Sequence, residues 1–308
     1  MFYAGTSWQQ IDPGENPVGI DGNPVEERLA MIILAHDGSI YSDWVARYAL
    51  HFAATEKDRK LLVLHVQDGE VPPDIVDARF EQLAGECDAF NVEFIPQSLP
   101  LGSSVHRTLR QAVPHDPKSL LICGTRVKPR RQRYLTGTIS EKLLRMHLCP
   151  VLVMRIVQPG LLGNPHDLLL PLTGYRYGFS AIAPFIQRLA PHLRYVYLCQ
   201  TVQVNPLRHP HMTSAMERAL KQKGFDRLEK IDQEMAEFFG PYAFRCDRLV
   251  TIADKWEQEV LMLASRLKAQ LMLLGLSERT LAYRVFHSAA IEGVLHKTPC
   301  DIGIYRAL

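Results

Sequence analysis

The sequence repeats itself. Gly124 closes the apolar run SLLICG, and Gly275 closes QLMLLG, 275 − 124 = 151 positions later. The same offset separates Glu141 from Glu292, Cys149 from Cys300 and Arg155 from Arg306, so EKLLRMHLCPVLVMR lies over EGVLHKTPCDIGIYR without a gap. Several matches at one fixed offset, in segments of like apolar pattern, mark a duplicated unit. The openings of the two copies match at a different offset: Gly38 of MIILAHDGS and Gly174 of LLLPLTGYR are 136 apart, so the second copy carries 151 − 136 = 15 extra residues before Gly275. The charged stretch SAMERALKQKGFDRLEKIDQEMAEFF accommodates them as a lengthened helix. A chain of 308 residues has room for two such units and little more.

Within each copy, short apolar runs alternate with helical spacings. In the first, LAMIILA, KLLVLHV, VEFIPQS, SLLICG and PVLVMRIV read as strands. Between them, SDWVARYALHFAAT, PPDIVDARFEQLAGECDAF, SSVHRTLRQAV and TISEKLLRMH read as helices, the last opened by Thr138 with Glu141 three residues on, a capping-box pattern. The second copy repeats the series from DLLLPL to DIGIYR. Strands alternating with helices predict an α/β fold: two consecutive five-stranded, Rossmann-like parallel sheets, each covered on both faces. The expected layout is an extended arm over 1–28, a first domain over 29–157 and a second over 166–308. The last strands, PVLVMRIV and CDIGIYRAL, are twins, and pairing them would bury two sheet edges in an intramolecular pseudo-dimer. The linker QPGLLGNPHD can reach about 33 Å.

The charge balance, 35 − 33 = +2, argues against bulk nucleic-acid binding. No apolar run approaches the roughly 20 residues of a membrane span, and the start of the chain lacks the basic and apolar regions of a leader. A cytoplasmic protein with no membrane or nucleic-acid partner is expected. The six cysteines are dispersed without a CxxC and read as reduced thiols. The histidines in HPHM and PHD have no paired cysteine or carboxylate at ligand spacing, so no metal site is expected. No Walker lysine and no GxSxG is present, so no catalytic residue is assigned and ATP hydrolysis would be slow and incidental at most.

One stretch stands apart, GTRVKPRRQRYLTGT, from Gly124 to Thr138. Gly124 follows a strand and Gly137-Thr138 opens a helix, where unpaired N–H groups and the helix dipole favour an anion. Arg126, Lys128, Arg130, Arg131 and Arg133 read either as a lid of guanidinium forks over phosphates or as a solvated loop.

The spacing of these residues resembles the universal stress protein family, in its tandem two-domain type. The family's pattern is a glycine, two residues, a glycine, nine residues, then Gly-Ser or Gly-Thr, followed by a helix and a Cys-Pro-Val strand. Here Gly124, Val127, Gly137-Thr138 and Cys149-Pro150-Val151 fall at those places, and ILAHDGSIYS resembles the family's opening turn. The resemblance implies an adenine nucleotide alpha hydrolase-like fold and a site for ATP or a related adenine nucleotide. Carried over by position, Gly124, Arg126, Gly137, Thr138 and Ile139 would hold phosphates. Asp37 would meet the ribose or adenine, Val66 would line the adenine pocket, and Ala35 would complete the cofactor-binding set. Val127 replaces the motif's second glycine. In the second copy PLTG replaces AHDG, Glu278 stands at the second glycine, Arg279 follows, and Ser288-Ala289 replaces Gly-Thr, so nucleotide is expected in the first copy only. The alternative is an interaction or scaffold protein without nucleotide, acting through a protein partner or a homo-oligomer.

Overall fold

The computed structural model describes residues 31–127, 133–172, 179, 182–205, 211–240, 244–276 and 289–307. The expected arm over 1–28 lies outside them, as do Lys128, Arg130, Arg131, Gly174, His209, Glu278, Arg279 and Ser288.

The first copy runs β1 (Ile32–Ala35), α1 (Ile40–Thr55), β2 (Lys60–Gln67), α2 (Pro73–Ala89), β3 (Glu93–Pro100), α3 (Val105–Ala112), β4 (Leu120–Gly124), α4 (Ile139–Leu144) and β5 (Val151–Arg155). The second runs β6 (Asp167–Pro171), α5 (Ala183–Leu189), β7 (Tyr195–Gln203), α6 (Ser214–Phe239), β8 (Arg245–Ala253), α7 (Trp256–Arg266), β9 (Leu271–Leu276), α8 (Ala289–Lys297) and β10 (Asp301–Arg306). All ten strands form one sheet, in the order β3-β2-β1-β4-β5-β10-β9-β6-β7-β8. Every neighbouring pair is parallel except β5 with β10. In that pair Val153 faces Ile304, its own repeat counterpart, since 304 − 153 = 151.

Alternation along the strands builds two apolar layers. Ile32 and Leu34 join a cluster with Val45 and Phe52 of α1, Phe80 of α2, Phe185 of α5 and Leu228 of α6. Ile33 joins the opposite cluster, with Leu109 of α3, Leu143 of α4, Val260 of α7 and Ile291 of α8. Each layer runs across both copies, and Phe52 meets Phe185 edge-on with ring centroids 5.3 Å apart.

The lengthened helix is α6, whose bounds match the charged stretch. Thr213 caps it by accepting the Met216 N–H at 3.3 Å. A Cβ on Gly224 would stand 2.6 Å from Val250 Cγ1, so the glycine lets α6 lie close on β8. The helix after Thr138 is shorter than TISEKLLRMH suggests, covering Ile139–Leu144. Beyond it Pro150 has no N–H to continue the ladder, and Arg306 of β10 satisfies freed carbonyls, its buried Nη2 donating to those of Met146 and Cys149.

The linker is tied down as well. Asp301 of β10 is fully buried and accepts from Tyr48 Oη at 2.7 Å and from the N–H groups of Val157 at 2.7 Å and Gln158 at 2.8 Å. Burial pushes its carboxyl above the usual aspartate range, despite these donors and the charge of Arg155. Burial likewise drives the Tyr48 phenol well up, with the adjacent Asp301 adding to it. Gly163, at φ +77°, lies flat against the α1 backbone at Arg47 and Tyr48.

Candidate functional site

A cavity of about 740 Å³ opens at the carboxyl ends of β1, β2, β4 and β5. In the order β3-β2-β1-β4-β5, the chain reverses direction across the sheet between β1 and β4. Open parallel sheets bind ligands at such a switch point, where diverging loops leave a crevice. Ala35 and Gly124 end these two strands and stand at its floor. Asp37, Val66, Arg126, Gly137, Thr138 and Ile139 line the same cavity, so all eight residues singled out in the sequence come together from separate segments. Val127 lines it too, as a part-buried side chain.

The turn after β1 is rigidly built. Gly38 adopts φ +76°, which favours glycine. Its N–H donates to His36 Nδ1 at 3.0 Å, leaving Nε2 of the buried imidazole to donate to Asp43 at 3.0 Å. Asp37 Oδ1 accepts from Ser42 Oγ at 2.7 Å and from the Ser39 N–H at 3.0 Å, and its Oδ2 pairs with Arg126 Nη2 at 3.1 Å. Burial pushes the Asp37 carboxyl up, but the Ser39 and Ser42 hydroxyls, Arg126 and the Ser39 amide together hold it below the usual range. Arg126 also lies over the Tyr41 ring, 5.3 Å from its centroid.

The two glycine turns are stitched together by Ser140 Oγ, which donates to the Gly124 carbonyl at 2.8 Å. Thr138 caps α4, accepting the Glu141 N–H at 3.2 Å and donating to the Leu135 carbonyl at 2.6 Å. The reciprocal arm of the capping box falls one residue early: Glu141 accepts from the Gly137 N–H at 2.6 Å, and Arg145 balances it at 2.9 Å. That carboxylate therefore shares a position where the motif suggests a phosphate. Gly137 itself, at φ +76°, has no atom within 4 Å of where a Cβ would stand.

The sequence motif did not single out several wall residues: His36, Tyr41, Lys142, Cys123 and Arg155. Burial pushes the Cys123 thiol up to about 12, so it presents S–H rather than thiolate. Arg155 places its guanidinium 4.5 Å from the centroid of the Tyr134 ring. Its repeat counterpart is Arg306, spent on the Met146 and Cys149 carbonyls, so the duplicated pattern alone could not tell a cavity residue from a structural one. Charge is distributed across the sheet: Asp37, Asp68 and Glu70 follow β1 and β2, whereas Arg126, Arg133, Lys142 and Arg155 come from the β4–β5 side. Among the described residues no His, Cys, Asp and Glu group has metal-holding geometry, and no helix is long and apolar enough to cross a membrane.

No family model matches the chain. A protein of Staphylococcus saprophyticus assigned to the universal stress proteins is 27% identical over 141 residues, 40% of this chain and 82% of its own length. A solved universal stress protein of Archaeoglobus fulgidus superposes with a TM-score of 0.54 at 14% identity, over 89% of this chain and 95% of its own. The chain is thus similar to universal stress proteins in sequence over about one copy's length and in fold over both copies. A functionally unknown protein of Pseudomonas aeruginosa, PA1789, shares the fold at a TM-score of 0.57 and 15% identity, over 91% of this chain and 93% of its own.

Proposed function

We propose that this chain is a tandem universal stress protein, a non-enzymatic regulatory module of the stress response, and that it binds ATP or a related adenine nucleotide in the cavity of its first copy. The observation that carries the reading is the convergence of Ala35, Asp37, Val66, Gly124, Arg126, Gly137, Thr138 and Ile139 on one cavity, at a switch point and with a charge gradient across it. A volume of about 740 Å³ lies in the range of small-molecule sites. The adenine would rest on Ala35, Leu64, Val66 and Leu109, and the ribose hydroxyls would meet Asp37. The phosphates would face Gly137, Thr138, Arg133, Lys142 and Arg155. Arg126 would exchange Asp37 for phosphate oxygens, a charge-assisted fork for a charge-assisted fork.

The domains in this reading are 29–157 and 166–308, joined as a pseudo-dimer through β5 and β10. The second is degenerate because PLTG, Glu278 and Ser288-Ala289 replace the motif. A second reading, a scaffold without nucleotide, draws on two contacts: Glu141 at the Gly137 N–H and the Asp37–Arg126 pair across the cavity.

The deciding experiment denatures purified protein and runs the released small molecules on an ion exchanger beside nucleotide standards, with ATP titrated into the emptied protein by calorimetry. Adenine nucleotide in the release, or saturable ATP binding, is expected. Neither, with no thermal shift in ATP, would leave the scaffold reading standing.

A further inference from the structure

Next to the cavity, but outside its wall, a carboxylate of the second copy holds a loop of the first. Three successive amides, Tyr134, Leu135 and Thr136, donate to Glu292 of α8 at 3.0, 3.0 and 2.9 Å, and Thr136 Oγ1 adds a fourth bond at 3.1 Å. Consecutive N–H groups converging on one anion form a nest, and bonds to an ionised acceptor are the strong class. Burial pushes the Glu292 carboxyl up, yet the Thr136, Tyr134 and Leu135 amides and the Thr136 hydroxyl outweigh it and hold the group below the usual glutamate range.

The held segment leads straight into the cavity. The Leu135 carbonyl accepts both the N–H of Thr138 at 3.1 Å and its hydroxyl at 2.6 Å. Tyr134 is gripped from both sides. Its ring lies edge-on to His296, one turn along α8 from Glu292, with centroids 4.8 Å apart, while Arg155 of the cavity wall covers its face at 4.5 Å and Thr125 Oγ1 donates to its carbonyl. The repeat makes the contact unusual. Glu141, the counterpart of Glu292, binds Gly137 of its own loop, whereas Glu292 crosses to the other copy.

We propose that Glu292 is a positioning residue: through it the second copy holds the phosphate-side loop of the first-copy cavity, so that nucleotide occupancy and the seating of α8 are coupled. The binding half of this statement rests on the nucleotide reading above; the holding half does not. Coupling between binding events is reciprocal, so ATP should steady α8 as α8 steadies the ATP loop.

The test uses the full chain with Glu292→Ala and Glu292→Gln. Amide exchange is followed on peptides covering 133–138 and 289–297, and ATP affinity by calorimetry. Glu292→Ala should speed exchange at 134–136 and weaken ATP by about tenfold or more, from the loss of several charge-assisted bonds. Glu292→Gln keeps one acceptor oxygen and should fall between; it also serves if the alanine variant folds poorly. Saturating ATP should slow exchange in 289–297 of the wild type but not of Glu292→Ala. Wild-type exchange rates at 134–136 in both variants would overturn the holding role. Faster exchange with unchanged ATP affinity would reduce Glu292 to a seam contact and overturn the coupling. If wild type takes no ATP, the nucleotide reading and the coupling both fall, and the exchange rates alone decide whether Glu292 holds the loop.

Discussion

Gly163 offers the sharpest test of how the linker is seated. A Cβ there would stand 2.6 Å from both the carbonyl carbon of Arg47 and the amide nitrogen of Tyr48, and 2.8 Å from the Arg47 oxygen. These are backbone atoms of a helix buried against the sheet, and no rotamer can move them aside. The residue also sits at φ +77°, where an L side chain costs roughly 1–2 kcal/mol. Relieving the overlap requires the linker to lift from α1, an overpacking cost of about 1–3 kcal/mol. Gly163→Ala should therefore lose roughly 2–5 kcal/mol, a large part of a typical domain's stability. That corresponds to a fall in Tm of about 4–20 °C for a unit of this size. Gly160 is the internal control, because a Cβ there has nothing within 4 Å and its φ is not positive. Gly160→Ala should change stability by less than about 0.5 kcal/mol. Calorimetric and urea unfolding of both variants beside wild type give the comparison. If Gly163→Ala melts with Gly160→Ala, the linker does not lie on α1 as described.

Two further outcomes follow from single groups. The buried Asp301 carboxyl is pushed above its ordinary range, so the folded state binds its proton more readily than the unfolded chain does. Its stabilisation is full below the ordinary aspartate range and is lost as pH rises through the folded value. Asp301→Asn cannot titrate, so its Tm relative to wild type should climb from pH 4 to pH 7; a flat difference contradicts the shift. Gly137→Val has open space for its Cβ but an unfavourable φ of +76°, so it should cost only about 1–2 kcal/mol while abolishing ATP binding in calorimetry. Undiminished binding would remove Gly137 from the proposed phosphate side.

What the sequence disclosed was what periodicity can carry. The lengthened helix emerged with its ends at Ser214 and Phe239, because its charged pattern is local. The twin last strands pair as expected, with a register in which Val153 faces Ile304. The convergence of eight residues on one cavity was legible through the motif, since strand ends in a parallel sheet meet at one edge. What the sequence did not disclose is mostly long-range: Arg306 braces the chain after α4 from 160 positions away, and the Glu292 nest joins residues more than 150 apart. Repeat counterparts also look alike in sequence while doing different work: Arg155 lines the cavity and Arg306 braces a turn, and Glu141 binds the loop before its own helix whereas Glu292 reaches that same loop from the other copy. A pattern match cannot separate them, because partner choice depends on which copy's backbone lies within reach.

The seam between β5 and β10 bears on how such a chain can change over time. In a pair of identical chains, every substitution at the contact appears twice, once on each side of the axis. Joining the copies in one chain lifts that restriction. Position 301 shows the freedom used: its counterpart, 301 − 151 = 150, is a proline with no N–H to give, whereas Asp301 donates its own N–H to the Gln270 carbonyl and gathers Tyr48, Val157 and Gln158 around its side chain. A buried carboxylate on one side alone can recruit donors from the start of the connecting segment. The fused arrangement thus permits contacts that no assembly of two equal halves could evolve.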